Sequence, residues 1–262
     1  MFKGFDIPAP ELDVVLPQTQ KSFRVRSLRM SEEGSAKSSL LGNAQSIIKK
    51  LNHLVYNAIV DNDKPEPEQF LQQVTTKDRD ALVFGMYQIT YGDEYTFEDY
   101  TCANCQKTYS LRAFMSKGFV RSDYKVEDGQ SILDKRITLE LETGLQVVLK
   151  QITLEDEVNI LAATSADDPL TELYSKIDKF IYTSGEGQKL ELNIKDTPMD
   201  FLYGCGQLLP KHKKLINDAH TKEFNQYGVK VNINYVCPHC GHKENFNLDF
   251  VKQFFLLVCG LI

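Results

Sequence analysis

Two close pairs of cysteines carry the clearest chemistry in this sequence. Cys102-Ala103-Asn104-Cys105 and Cys237-Pro238-His239-Cys240 are both CxxC segments. A CxxC turn presents two thiolates to one ion, and structural zinc takes four such ligands in a tetrahedron. The pairs therefore predict one structural zinc ion per chain, held by Cys102, Cys105, Cys237 and Cys240. The second pair has the fuller turn: Pro238 fixes the backbone and Gly241 permits a positive φ. In the first pair Gln106 stands where glycine would help. Between Cys105 and Cys237 lie 131 residues, against roughly 15–20 in a compact zinc ribbon. Distant parts of the chain must therefore be brought together.

Two rival chemistries can be weighed on the same residues. Thiol redox work needs an accessible cysteine of low pKa, usually at a helix N-terminus. Both pairs here lie between alternating, strand-like segments. A catalytic zinc keeps an open position and usually recruits histidine or carboxylate. His239 and His242 flank the second pair and read as surface residues of its turn. Cys205 and Cys259 have no close partner and read as small buried hydrophobes. No GxSxG, HExxH or phosphate-cradling glycine loop is present, so no catalytic residue is assigned and no enzyme is expected.

The elements that must position the cysteines can be read from periodicity. Residues 1–21, with Pro8, Pro10 and Pro17, read as an N-terminal arm. Phe23–Leu28 alternates as a strand, and Ser31-Glu32-Glu33 opens a helix. Residues 44–60 and 76–89 have helical apolar spacing. Asp61–Glu68, with Pro65 and Pro67, reads as a polar loop between them. Tyr95-Thr96-Phe97 and Tyr109–Ala113 read as strands on either side of the first CxxC. In the second half, Leu145–Lys150 reads as a strand, and residues 154–163 as a helix with an acidic start. Thr171–Tyr182 reads as helical, a further helix begins at Asp196-Thr197-Pro198, and residues 214–227 look helical. Val229–Tyr235 and Phe246–Phe250 alternate around the second CxxC.

This order repeats, which suggests an internal duplication. Arg29–Glu33 matches Thr153–Glu157, Asp80–Leu82 matches Asp200–Leu202, and Tyr100–Cys105 matches Tyr235–Cys240. Leu111, Ala113 and Met115 match Phe246, Leu248 and Phe250. Two related halves, 22–125 and 126–262, facing each other across a pseudo-two-fold axis, would bring their CxxC turns onto one ion. The expected fold is α+β, with helices around short antiparallel strands and the halves joined by a four-cysteine zinc site. The apolar end, Phe254–Ile262, has two readings: a final element buried in its own core, or a docking segment for another protein.

Bulk composition excludes some partners. Thirty Lys and Arg against 36 Asp and Glu give a net charge of −6, which argues against a generic nucleic-acid binder. The short basic run Lys211–Lys214 reads as solvated surface. No apolar run approaches the roughly 20 residues of a membrane span, and the first residues lack a signal-peptide core. Paired cysteines in a reducing cytoplasm then indicate metal rather than a disulfide.

The segment Thr75-Thr76-Lys77-Asp78-Arg79-Asp80-Ala81-Leu82, running on through Tyr91-Gly92-Asp93-Glu94-Tyr95 to a CxxC, resembles a recurring segment of T4-type phage baseplate hub proteins. Leu149–Glu157 is similar to that family's second strand followed by a Thr-x-x-Asp-Glu helix start. The likeness runs from about residue 22 to 250. It implies a structural or chaperone-like assembly protein for the central hub of a contractile tail baseplate. Its partners would be other hub proteins, with homo-oligomerisation left open. Its places would be the host cytoplasm during assembly and the virion baseplate. A cytoplasmic zinc-bound adaptor unrelated to phage and a thiol oxidoreductase are the alternative readings.

Overall fold

The computed structural model describes residues 7–37, 44–126, 129–141, 144–163, 170–183 and 188–258. The chain is α+β, and its strands form short antiparallel sheets. It opens with a hairpin, β1 (Glu11–Val15) and β2 (Ser22–Arg26), then runs through α1 (Met30–Lys37), α2 (Ala44–Ala58), α3 (Pro67–Gln73) and α4 (Thr76–Tyr91). A long hairpin follows, β3 (Glu94–Thr101) and β4 (Thr108–Phe114), with the first CxxC at its tip. The single turn α5 (Met115–Gly118) leads into β5 (Phe119–Ser122).

β6 (Ile137–Glu140), β7 (Gln146–Leu149), β8 (Ile177–Thr183) and β9 (Lys189–Asn193) make a four-stranded sheet, interrupted in sequence by α6 (Leu154–Ala163) and α7 (Thr171–Lys176). Then come α8 (Pro198–Gly206), α9 (Pro210–His220) and a π turn over Thr221–Asn225. The second CxxC hairpin is β10 (Gly228–Val236) and β11 (Lys243–Leu248), and α10 (Phe250–Val258) follows it.

α4 is the central beam of the first core. Thr75 caps its start by accepting the Asp78 N–H at 3.0 Å, which satisfies one of the helix's unpaired amides. Every residue from Ala81 to Tyr87 is buried, as expected of a helix enclosed on all sides. At Gly85 a Cβ would meet the Val14 Cγ2 at 2.7 Å, so glycine lets β1 lie against this helix. The first apolar cluster joins Val14, Leu82 and Met86 to Ile233, Leu248 and Phe254, so it draws residues from both sides of position 126. The second is built from residues between 124 and 224, among them Phe180, Phe201 and Phe224. Among the described residues no helix is long and apolar enough to cross a membrane.

Several sequence expectations need correction. Residues 11–15 are not a loose arm: β1 pairs with β2 from Glu11↔Arg26 to Val15↔Ser22. Leu16 and Gln18 just beyond it are fully buried. The flanking prolines mask the alternation of Leu12, Val14 and Leu16. Thr171–Tyr182 is helical only to Lys176; Ile177–Thr183 is β8, held between β7 and β9. Its β-branched and aromatic residues favour a strand, and pairing on both edges overrides the helical spacing. The expected loop ends early, because α3 begins at Pro67, a residue suited to a first helical position. The apolar end is buried as far as it is described, with Phe254 and Val258 fully enclosed; residues 259–262 lie outside the described residues.

The second core holds a histidine with a consequence for pH. Burial, and after it the Lys176 ammonium, push the His220 imidazole down from 6.5 to about 4. The unfolded chain therefore binds the extra proton between those values. The stability contributed by neutral His220 is complete above pH 6.5 and is lost as pH falls toward 4. That loss is about 3 kcal/mol. Urea titrations of the protein and of His220→Gln should show this slope in the former and a flatter one in the latter.

Candidate metal centre

Each CxxC sits at the tip of a two-stranded hairpin, and the two tips meet. The sulfurs of Cys102, Cys105, Cys237 and Cys240 all lie within 4.8 Å of one another. Across the hairpins, Cys102 Sγ is 3.8 Å from Cys240 Sγ, and Cys105 Sγ is 3.7 Å from Cys237 Sγ. A tetrahedron with Zn–S bonds of about 2.3 Å has S···S edges of about 3.8 Å. A disulfide would need about 2.05 Å. The two cross-hairpin distances match such edges, the remaining ones stay within 4.8 Å, and none of the four cysteines is in a disulfide.

The two turns are built alike. In the first, Gln106 N–H donates to Cys102 O at 3.0 Å and Cys102 N–H to Lys107 O at 3.1 Å. In the second, Gly241 N–H donates to Cys237 O at 2.9 Å and Cys237 N–H to His242 O at 2.8 Å. Gly241 has φ +71° and Gln106 φ +57°. The first turn therefore reaches the same geometry without glycine, at the steric cost of a side chain in the left-handed region. Gly241→Ala should cost about 1 kcal/mol for the same reason, read as a lower unfolding midpoint with the turn intact.

The sulfurs differ in their readiness to ionise. The Asn104 side-chain amide, 3.5 Å away, and the His242 backbone N–H hold the Cys240 thiol down at about 6. Burial works against Cys237, yet the N–H groups of His239 and Cys240 keep it below its ordinary value. The Lys107 N–H favours a Cys105 thiolate, but desolvation and three neighbouring sulfurs push that thiol up to about 11. Four thiolates this close repel one another in the absence of a cation, and a bound dication supplies the missing attraction.

Beneath the sulfurs the hairpins share an aromatic layer. Tyr100 and Tyr235, each two residues before a CxxC, pack edge to face with centroids 4.8 Å apart. The Tyr235 hydroxyl lies 2.7 Å from that of Tyr100 and also bonds to the Glu244 carboxylate. Phe246 stacks on Tyr100 at 5.8 Å. The sequence offers one signal for this support, the tyrosine repeated at the same place in both motifs, and its role is absent from the sequence reading.

The other candidates fall outside the cluster. His239 is exposed, with its ring edge-on to Tyr109 at 5.8 Å. His242 enters through its backbone. Cys205 is buried in the second core, as expected, and Cys259 lies outside the described residues.

A second contact between the halves lies at two helix starts. Thr76 N–H donates to Ile152 O at 3.2 Å, and Leu154 N–H to Val74 O at 3.0 Å. Next to it the buried Arg79 guanidinium pairs with Glu157 through two hydrogen bonds, from Nη1 and Nη2.

No curated protein and no solved structure matches the chain. One family does, over residues 9–256, nearly the whole length. That span includes both CxxC hairpins and the helix starts that join the halves, and on it the chain belongs to the T4 bacteriophage base plate protein family.

Proposed function

We propose that this chain is a non-enzymatic structural or assembly protein of the central hub of a contractile phage tail baseplate, and that one structural zinc ion locks its two halves. Baseplate family membership supports a structural role, phage partners and a place in the virion tail. It also sets aside the reading of an adaptor unrelated to phage. The observation that carries the proposal is the meeting of four sulfurs within 4.8 Å, with both cross-hairpin distances at the edge length of a zinc tetrahedron, across hairpins whose facing cysteines stand 132 and 138 residues apart. Such a closed thiolate shell leaves no open position for substrate, which suits a clamp rather than a catalyst. The halves, 22–125 and 126–262, would then keep a fixed mutual angle. Their outer faces would engage hub proteins in the host cytoplasm while the baseplate is built.

Tagged protein in a reconstituted baseplate-assembly mixture tests this role. It should co-purify with hub proteins. Recovery of the chain free of every hub protein, from a mixture that completes baseplates, overturns the proposal. Its presence in purified particles would mark a component, and its absence there a helper.

A further inference from the structure

The duplicated hairpins differ at one edge. Residues of β3 up to Phe97 precede their counterparts by 136 positions, because of the bulge before Tyr100, and the rest of the hairpin precedes its counterparts by 135, as Cys102 does Cys237 and Cys105 does Cys240. In the second hairpin, Gly228–Val231 of β10 pairs on its outer edge with β5, from Gly228↔Ser122 to Val231↔Phe119. The counterpart in the first hairpin is Gly92–Tyr95, which runs into the start of β3. Among the described residues β3 pairs with β4 alone. By the offset of 135, the residues that would supply the missing strand are 254–257. They lie instead in α10, a helix that buries Phe254 in the first core.

The vacant edge is prepared for pairing. Asp93 O accepts the Met115 N–H on the β4 side. Backbone direction alternates along a strand, so Glu94 and Thr96 turn their N–H and C=O groups outward. With the bulge counted, the counterpart of Glu94 is Lys230, which faces away from β11 and lies opposite Val120 of β5. The outward Glu94 carbonyl is occupied only by the Tyr87 hydroxyl, at 3.1 Å. β3 carries neither lysine nor proline, and its bulge falls after Phe97, so the stretch Glu94–Phe97 remains a regular edge.

A groove of about 800 Å³ runs along this edge and is lined by every residue from Glu94 to Thr101. A sheet face would contribute alternate residues only. The lining includes Glu94, Glu98 and Asp99 and no lysine or arginine, with Tyr87, Tyr91 and Tyr95 as its aromatic wall. Carboxylates beside tyrosine faces favour ammonium and guanidinium groups. A second copy pairing antiparallel through the same edge would set acid against acid.

We infer that the free edge of β3 docks an extended segment of a partner protein that alternates basic with apolar residues, adding a strand antiparallel to β3 as β5 does to β10. Main-chain bonds to Glu94 and Thr96 supply the pairing, and Glu98 and Asp99 select a basic strand, Glu94 being already paired with Arg112. The inference stands on the hairpin geometry and does not depend on the hub assignment.

The test uses the full chain, labelled with ¹⁵N, and a synthetic heptapeptide alternating lysine with valine. The lysine peptide should shift the amide resonances of Glu94 to Phe97, and a peptide with glutamate for lysine should not. The exposed pair Glu98→Lys and Asp99→Lys should weaken binding about tenfold or more and leave the remaining spectrum unchanged. Equal binding of both peptides, or no shift at about 1 mM peptide, overturns the inference. So do concentration-dependent shifts of β3 without peptide, which would identify a second copy as the occupant.

Discussion

Cys237→Ser should release the bound metal and lower the midpoint of thermal unfolding by about 10 °C. The reason lies in how little else holds the hairpin tips together. The apolar cluster between them has only Cys102, Tyr235 and Cys237 fully buried, with Tyr100, Cys105, Tyr109, Leu111 and Phe246 packed partly around it. A metal ion there acts on two hairpins at once, so its loss frees both. The two larger cores lie elsewhere, so the variant should remain folded with separated tips. Cys205→Ala is the matching control. It removes a buried sulfur from the second core and should lower the midpoint while metal content stays at one per chain. Differential scanning calorimetry with elemental analysis reads both quantities. An unchanged midpoint in Cys237→Ser would remove the clamp.

The second large effect is expected at Arg79 and Glu157, one of several contacts between residues before and after position 126. Glu157→Ala should destabilise the chain by about 3 kcal/mol or more, because it leaves a buried guanidinium unpaired. The Arg79 side chain is only 7% exposed, and Glu157 grips both of its terminal nitrogens. Burial opposes the charge on Arg79, and Glu157 more than offsets it. Asn52 also accepts from Arg79, at 3.1 Å, but a neutral amide cannot balance the charge. Replacing both partners, Arg79→Met with Glu157→Leu, should recover most of the loss, since a packed apolar pair carries no desolvation cost. Equilibrium urea unfolding of the three variants gives the comparison. A single variant no less stable than the parent would show that the pair contributes nothing.

The sulfur cluster is legible in the sequence because both its parts are local signals. A CxxC flanked by alternating residues specifies a hairpin tip, and the repetition of Tyr-x-Cys-x-x-Cys specifies that two tips belong together. The same locality explains the α2, α4, α6 and β10 readings. What escapes depends on partners far away in sequence. Ile177–Thr183 has helical spacing on its own and becomes β8 only because β7 and β9 flank it. Leu12 and Val14 look like part of an arm until β2 pairs with them. The vacant edge of β3 is visible only once β5 is seen on β10.

The shell around the metal is the most direct test of this account. X-ray absorption at the zinc edge, on protein purified without chelator, should show one zinc per chain surrounded by four sulfurs at about 2.3 Å. A chain that purifies without metal, or a shell containing nitrogen or oxygen in place of a sulfur, would contradict it.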